Sequence, residues 1–137
     1  MSEMEKFFSR AKASEGIKFP LYFPGTTDKS EHYLVLRGMD SNEFRVAEAL
    51  GKRKLAELAA LKEDEWARRY LEIRRQIVSS LIAGWSFEQE CTPENVMSFL
   101  KEAPHTEDVI NKVASDRSLF FMKGSESSTG TPDPSSN

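Results

Sequence analysis

The sequence is poor in the residues that build disulfides and metal sites. Cys91 is the single cysteine among 137 residues, so neither an intramolecular disulfide nor a cysteine-rich zinc site can form within the chain. The two histidines, His32 and His105, have no cysteine or carboxylate at metal-ligand spacing. We expect no bound metal and no cofactor, and we interpret Cys91 as a small apolar residue packed beside a helix start.

Long apolar runs are also missing. No stretch approaches the ~20 apolar residues of a membrane span, and the opening MSEMEKFFSRAKASEG lacks the apolar core of a signal peptide. With 39% hydrophobic residues, 30% charged residues and a formal net charge of -3, the composition is that of a soluble protein. Such a charge gives no overall attraction to nucleic acid or to an anionic membrane. We expect a cytoplasmic protein.

Recognisable catalytic motifs are missing too. The sequence has no glycine-rich phosphate loop and no Gly-x-Ser-x-Gly elbow. Asp64 and Glu65 are neighbouring carboxylates, but adjacent side chains on a helix point in different directions, which favours a solvated face. No nucleophile, base and orienting group can be assembled from these motifs. We therefore expect no catalytic residues and no enzymatic activity.

Length and composition predict one folded domain over residues 1–122 and a disordered tail over residues 123–137. A chain of 137 residues can bury roughly two thirds of the surface that its unfolded form exposes. The tail, KGSESSTGTPDPSSN, has no apolar residue whose burial could offset the entropy of ordering.

The amino-terminal part has strand character after a short opening helix. Ser2 and Glu5 have the spacing of a capping box and predict that helix. KFPLYFPG and EHYLVLRG, separated by the polar GTTDKS, then predict an antiparallel hairpin. Pro20 and Pro24 cannot donate ladder hydrogen bonds, which favours an edge position for the first strand.

Helical periodicity dominates the rest of the chain. Asp40 or Ser41 can cap a long helix in which Gly51 is the expected bend, and Gly84 is the expected end of the next helix. Thr92 caps a further helix, which Pro104 stops. A last short helix is expected from Thr106, followed by the apolar SLFF. The fold class is therefore mainly α (α+β), with a small N-terminal antiparallel β element followed by a bundle of amphipathic helices.

The predicted helix before Gly84 has an unusually wide apolar arc. Two adjacent stripes merge over about half of its circumference; they comprise Trp66, Tyr70, Leu71, Ile73, Ile77, Val78, Leu81, Ile82 and Trp85. Arg74 lies in the middle of this arc and must extend to solvent, pair with a carboxylate or face a partner. This pattern is typical of a helix that packs on its own domain and offers a second surface to another protein.

Several motifs follow one another in an order that resembles a known family. LIAGWSF ends an amphipathic helix, CTPENVMSFLKEAP begins and ends a short one, and SLFF follows. This order is similar to the carboxy-terminal half of the tail assembly chaperones of long-tailed (siphophage-type) bacteriophages, and LVLRGMDSNEF resembles their strand-to-helix junction. The resemblance covers roughly Tyr33 to Phe121. The strand KFPLYFPG matches no motif of that family.

The resemblance implies a role in virion assembly. Members of the family bind the long helical tape-measure protein before the tail tube assembles, keep it soluble and help to recruit tail-tube subunits. Many also exist as a longer product of ribosomal frameshifting, through which a tube subunit would be contacted. The implied location is the cytoplasm of the host bacterium, with the protein absent from the mature virion. Self-association is a further partner hypothesis.

Two other hypotheses remain. The arginine-rich helix, with Arg68, Arg69, Arg74 and Arg75, could serve a DNA-binding accessory or regulatory protein, although Glu65 and Glu72 interrupt the basic patch. A structural connector or tail-completion subunit would differ from a chaperone by remaining in purified virions.

Partner contacts are predicted for large side chains of the arc and of the corner that follows it. Trp85 and Phe87 fit two roles, since they can fix the interhelix corner and also contact a partner. The predicted partner-binding residues are Trp66, Tyr70, Arg74, Trp85, Phe87 and Phe99.

Overall fold

A computed structural model describes residues 2–122, which form a small sheet covered by helices. The helices are α1 (Arg10–Glu15), α2 (Asn42–Ala56), α3 (Glu63–Ser79), α4 (Pro93–Glu102) and α5 (His105–Ser115), and the strands are β1 (Ile17–Tyr22), β2 (Lys29–Leu36) and β3 (Ile82–Trp85). Single 3-10 turns occupy Met4–Phe7 and Glu57–Ala60, and residues 117–122 are helical. The predicted fold class, mainly α (α+β), is confirmed. The predicted disordered tail, residues 123–137, lies outside the described residues.

The predicted hairpin forms one side of a three-stranded antiparallel sheet with the order β1-β2-β3. In the turn, the Phe23 amide donates to the Asp28 carbonyl at 3.0 Å, and Gly25 has a φ of 75°. Pro20 lies in β1 and Pro24 lies just after it. Strand β1 is at the edge of the sheet, where a residue without an amide hydrogen need not cost a ladder hydrogen bond. The edge position expected for this strand is confirmed.

The third strand corrects the expected helix end at Gly84. Helix α3 stops at Ser79, and β3 pairs with β2 so that Trp85 lies opposite Leu34. The hydroxyl groups of Ser79 and Ser80 donate back to carbonyls of the last helical turn at 2.7 and 2.6 Å, which competes with continuation of the helix. Gly84 has no positive φ and caps nothing.

Helix starts were predicted more accurately than bends. Of the two residues expected to cap α2, Ser41 is the cap: its hydroxyl accepts from the Phe44 amide at 3.3 Å. The Thr92 hydroxyl accepts from the Asn95 amide at 3.1 Å, which confirms the cap expected for α4. The bend expected at Gly51 is wrong, because α2 runs through this residue without interruption. A Cβ atom at this position would lie 2.7 Å from Cγ1 of Ile77, so the glycine allows α2 and α3 to approach closely.

Two other helix starts differ in detail. Ser2 and Glu5 form the predicted reciprocal hydrogen bonds at 3.0 and 3.3 Å, but the element they open is only a 3-10 turn. Helix α5 begins at His105, one residue before the start expected at Thr106. The Thr106 hydroxyl donates to the Ala103 carbonyl at 2.6 Å instead of capping the helix.

The core lies between the sheet and the helices. Strand β2 supplies Leu34 and Leu36, which are fully buried, and the helices cover them from one side. The other members of the buried cluster are Phe44, Val78, Leu81, Ile82, Val96, Leu100, Ile110, Val113 and Ala114. Within residues 2–122, none of the helices is long and apolar enough to cross a membrane.

Asp40 connects the start of α2 to the helical segment 117–122. Its carboxylate accepts two hydrogen bonds from Arg117, at 2.6 and 2.8 Å, and lies 3.3 Å from a guanidinium nitrogen of Arg45. The hydrogen bonds from Arg117, a hydrogen bond from Ser9 and the two cationic neighbours hold the pKa of Asp40 well below its usual range. The ionised form therefore stabilises the fold.

We expect Asp40→Asn to lower the free energy of unfolding at pH 7 by about 1–3 kcal/mol, because Arg117 loses its charged acceptor. The depressed pKa makes this stabilisation complete above the unfolded-state pKa of ~3.9 and progressively lost as the pH falls towards the folded-state value. Denaturant unfolding at pH 7 and pH 3 should show a smaller acid loss for the variant than for the wild type. Asp64→Asn removes only an exposed ion pair and is the control, with an expected change of about 0.5 kcal/mol or less. Equal acid sensitivity of wild type and Asp40→Asn would contradict the assignment.

Gly16 is required at the entry to β1. It has φ 81° and ψ 172°, and a Cβ atom there would lie 2.8 Å from the Leu36 carbonyl oxygen. We expect Gly16→Ala to lower the free energy of unfolding by about 2–4 kcal/mol, because it combines backbone strain with a backbone clash. Gly25→Ala is the matched control, since Gly25 also has a positive φ but nothing within 4 Å, and should cost about 1–2 kcal/mol. Thermal or denaturant melts compare the two variants, and equal losses would refute the role of the clash.

Candidate functional site

Three of the predicted site residues form one aromatic cluster. The ring centroids of Trp85 and Phe87 lie 5.2 Å apart, those of Trp85 and Phe99 5.7 Å, and those of Phe87 and Phe99 5.5 Å. Both contacts of Trp85 have an interplanar angle of 71°, the edge-to-face geometry that aromatic pairs favour. His32 adds a fourth ring, 4.7 Å from Phe87. The cluster joins the end of β3 to α4.

Local hydrogen bonds fix the loop that carries Phe87 and connects β3 to α4. The indole nitrogen of Trp85 donates to the Gln89 carbonyl at 2.7 Å, and the Asn95 side-chain amide donates to the Glu90 carbonyl at 2.8 Å. Before the loop, the Ser86 hydroxyl accepts from the Tyr33 amide at 2.9 Å, which extends the contact with β2. The connection between β3 and α4 is thereby held at both ends.

The cluster forms one wall of an open groove of about 510 Å³. Trp85, Phe87 and Phe99 are only partly buried, so their remaining surface faces the groove while their other side packs against the core. A concave surface with aromatic rings and a few polar side chains is typical of a binding site. The groove is lined by Trp85, Phe87, Gln89, Asn95, Ser98, Phe99, Glu102 and Ala103.

The site prediction from the sequence included none of the polar residues of this groove, which are Gln89, Asn95, Ser98 and Glu102. Asn95, Ser98 and Glu102 lie with Phe99 on one side of α4, at helical spacing. Their periodicity was visible in the sequence. What the sequence did not reveal is that β3 returns the chain against this side of α4, which turns a helix face into a groove.

Trp66 and Tyr70 form a separate pair on the first turns of α3. Their rings are stacked, with centroids 5.2 Å apart and an interplanar angle of 12°, and Trp66 is 41% exposed. Neither residue lines the groove beside Phe99. The wide arc predicted for this helix is therefore divided into a buried part, which includes Ile73 and Val78, and an aromatic pair of which Trp66 is exposed and Tyr70 is partly buried.

Arg74 lies at the contact between α3 and α5. Its guanidinium is 3.7 Å from a carboxylate oxygen of Glu107 and 3.3 Å from one of Asp108. The neighbouring Arg75 is also 3.7 Å from Glu107. Of the alternatives that the sequence left for Arg74, the structure places it beside carboxylates of its own chain and away from the aromatic groove.

His32 and Cys91 make contacts that are typical of structural residues. Nδ1 of His32 lies 3.0 Å from the Ser86 hydroxyl. Cys91 packs against the core, and burial raises the pKa of its thiol, which makes the reactive thiolate less populated. Among residues 2–122, no group of three or more histidine, cysteine or acidic side chains could hold a metal ion.

We expect Trp85→Ala to lower the free energy of unfolding by about 2–4 kcal/mol, because it removes a large ring packed against the core and two ring contacts. Trp85→Phe should cost about 1 kcal/mol, since it keeps a ring but loses the hydrogen bond to Gln89. Trp66→Ala is the control for an exposed aromatic residue and should cost about 1 kcal/mol. Chemical denaturation measures all three variants. Unchanged stability of Trp85→Ala would make Trp85 a contact residue alone.

Comparisons of this chain with protein-family profiles, with curated proteins and with solved structures found no match.

Proposed function

We propose that this protein is a tail assembly chaperone of a long-tailed bacteriophage, which binds the tape-measure protein and keeps it soluble until the tail tube assembles. The observation that carries the proposal is the open aromatic groove between β3 and α4. The motifs that resemble the chaperone family, Gly-Trp and Thr-Pro-Glu-Asn, supply Trp85 and Asn95 to this groove. The resemblance and the groove thus concern the same residues.

The groove has the properties that such a chaperone needs. A tape-measure protein is a long, mostly helical chain whose apolar stripes would otherwise associate with one another. Docking of an amphipathic helix into an apolar groove is a common mode of recognition. The rings of Trp85, Phe87 and Phe99 can cover such a stripe without rearrangement, because the loop hydrogen bonds of Trp85 and Asn95 already hold the groove in place.

A groove of this size suits temporary binding. Only a few side chains line it, so the apolar area that one copy buries is limited, and the complex can dissociate when tube subunits arrive. A long partner with repeated amphipathic segments could bind several copies, each with moderate affinity. A location in the cytoplasm of the host bacterium and absence from the mature virion follow from this role.

The arginine-rich helix offers less support to a DNA-binding role. Arg74 and Arg75 lie beside Glu107, and Arg68 lies 3.6 Å from Asp64. Carboxylates so close reduce the positive potential that a phosphate backbone would meet. Steeply salt-dependent binding of the purified protein to duplex DNA would nevertheless favour this alternative over a chaperone.

We expect co-expression with the tape-measure protein of the same phage to keep that protein soluble, and deletion of the gene to abolish tails while heads still form. Ser98→Trp places a bulky ring at the exposed edge of the groove and should reduce co-purification of the tape-measure protein by about tenfold or more. Pull-down from co-expressing cells and electron microscopy of lysates provide the measurements.

Ala49→Trp is the matched control, because Ala49 is exposed on α2 and lines no part of the groove. Circular dichroism should show both variants folded. Normal tails in the absence of the gene would refute the chaperone role, whereas detection of the protein in purified virions would favour a connector or tail-completion subunit.

A further inference from the structure

The rim of the aromatic groove is acidic. Glu102 lines the groove at the end of α4. Glu88 and Glu90 belong to the loop that carries Phe87 and flank the lining residue Gln89. Glu88, Glu90 and Glu102 are exposed, and no ion pair within residues 2–122 includes any of them.

The basic side chains near α4 lie on its other side. Lys101 lines a separate groove of about 440 Å³ between α3 and α4, together with Arg68 and Arg75. Ser98 belongs to both grooves and marks the ridge between them. Helix α4 therefore separates a groove with unpaired carboxylates at its rim from a groove of mixed charge, in which Glu72 lies beside these three cations.

The dimensions of the aromatic groove fit a helix. Its lining residues on α4 extend from Asn95 to Glu102, and this length at 1.5 Å per residue is about 10 Å, or roughly two helical turns. A docked helix would present about three side chains from one apolar stripe over such a length. The rings of Trp85, Phe87 and Phe99 are the surfaces that would receive them.

We propose that the groove binds an amphipathic helix whose apolar stripe is flanked by lysine or arginine. The stripe packs on the rings, and the flanking cations lie near Glu90 and Glu102, whose carboxylates are free to accept hydrogen bonds. An acidic helix of the same shape is rejected, because its carboxylates would face like charges. The proposal rests on the chaperone role only for the identity of the protein that carries this helix. If that protein is the tape-measure protein, it presents basic amphipathic segments to the groove.

The test uses the full chain and two synthetic peptides of about 20 residues, a length at which helices are stable enough to study. Both peptides carry leucine and tryptophan in one helical stripe; the remaining positions are mainly lysine in the first and mainly glutamate in the second. We expect the lysine peptide to bind at least about tenfold more tightly than the glutamate peptide, and this preference should shrink as salt is raised from about 50 to 500 mM. Fluorescence anisotropy measures both affinities.

A charge-reversal pair locates the binding. Glu90→Lys combined with Glu102→Lys should weaken binding of the lysine peptide by about 5- to 30-fold and strengthen binding of the glutamate peptide. Asp28→Lys combined with Glu57→Lys is the matched control, because it changes the formal charge equally at exposed positions outside the groove. This control should leave the preference for the lysine peptide intact.

The results separate this proposal from its alternatives. Equal binding of both peptides, or equal effects of the two double variants, would overturn it. The groove would instead bind a second copy of this chain if two results were obtained together. Neither peptide would bind, and the protein would show concentration-dependent sedimentation that Glu90→Lys combined with Glu102→Lys abolishes. This outcome would overturn the proposal. Lysine-peptide binding at the groove without co-purification of the tape-measure protein would support the groove chemistry and refute the chaperone role. Co-purification of the tape-measure protein that both double variants retain would support the chaperone role and refute the groove chemistry.

Discussion

The pairing of β3 with β2 is the interaction on which the groove depends. It places Trp85 opposite Leu34, a fully buried residue of the central strand. From that position the indole can reach the Gln89 carbonyl and the ring can meet Phe99 on α4. If α3 had continued to Gly84, Trp85 would have remained on a helix surface and no groove would have formed beside α4.

The aromatic cluster stabilises the fold and offers a surface for binding at the same time. Trp85, Phe87 and Phe99 each pack against the core, and each aromatic contact contributes about 0.5–1.5 kcal/mol beyond the burial of its area. Because the rings are held from behind, binding at their exposed side does not require them to become ordered. This explains why large aromatic residues lie both at the end of β3 and in the short loop that follows it.

Ion-paired arginines and unpaired carboxylates occupy different surfaces around α3 and α4. Arg74 and Arg75 lie beside Glu107, whereas Glu90 and Glu102 have no ion pair within the part of the chain that the structure describes. The overall charge of -3 therefore conceals a local contrast between a neutralised basic helix and an acidic rim. The proposed electrostatic selection of a basic helix depends on this local contrast.

Local chemistry in the sequence was enough to predict the hairpin, the caps at Ser41 and Thr92 and the mainly helical fold, because these features depend on neighbouring residues. It also marked Trp85, Phe87 and Phe99 as candidate contact residues. Only the tertiary structure decided that residues 82–85 form a strand, that Gly51 serves close helix packing and that Arg74 pairs with α5. Each of these outcomes depends on a segment distant in sequence, and helical periodicity in a single segment carries no information about which distant segment packs against it.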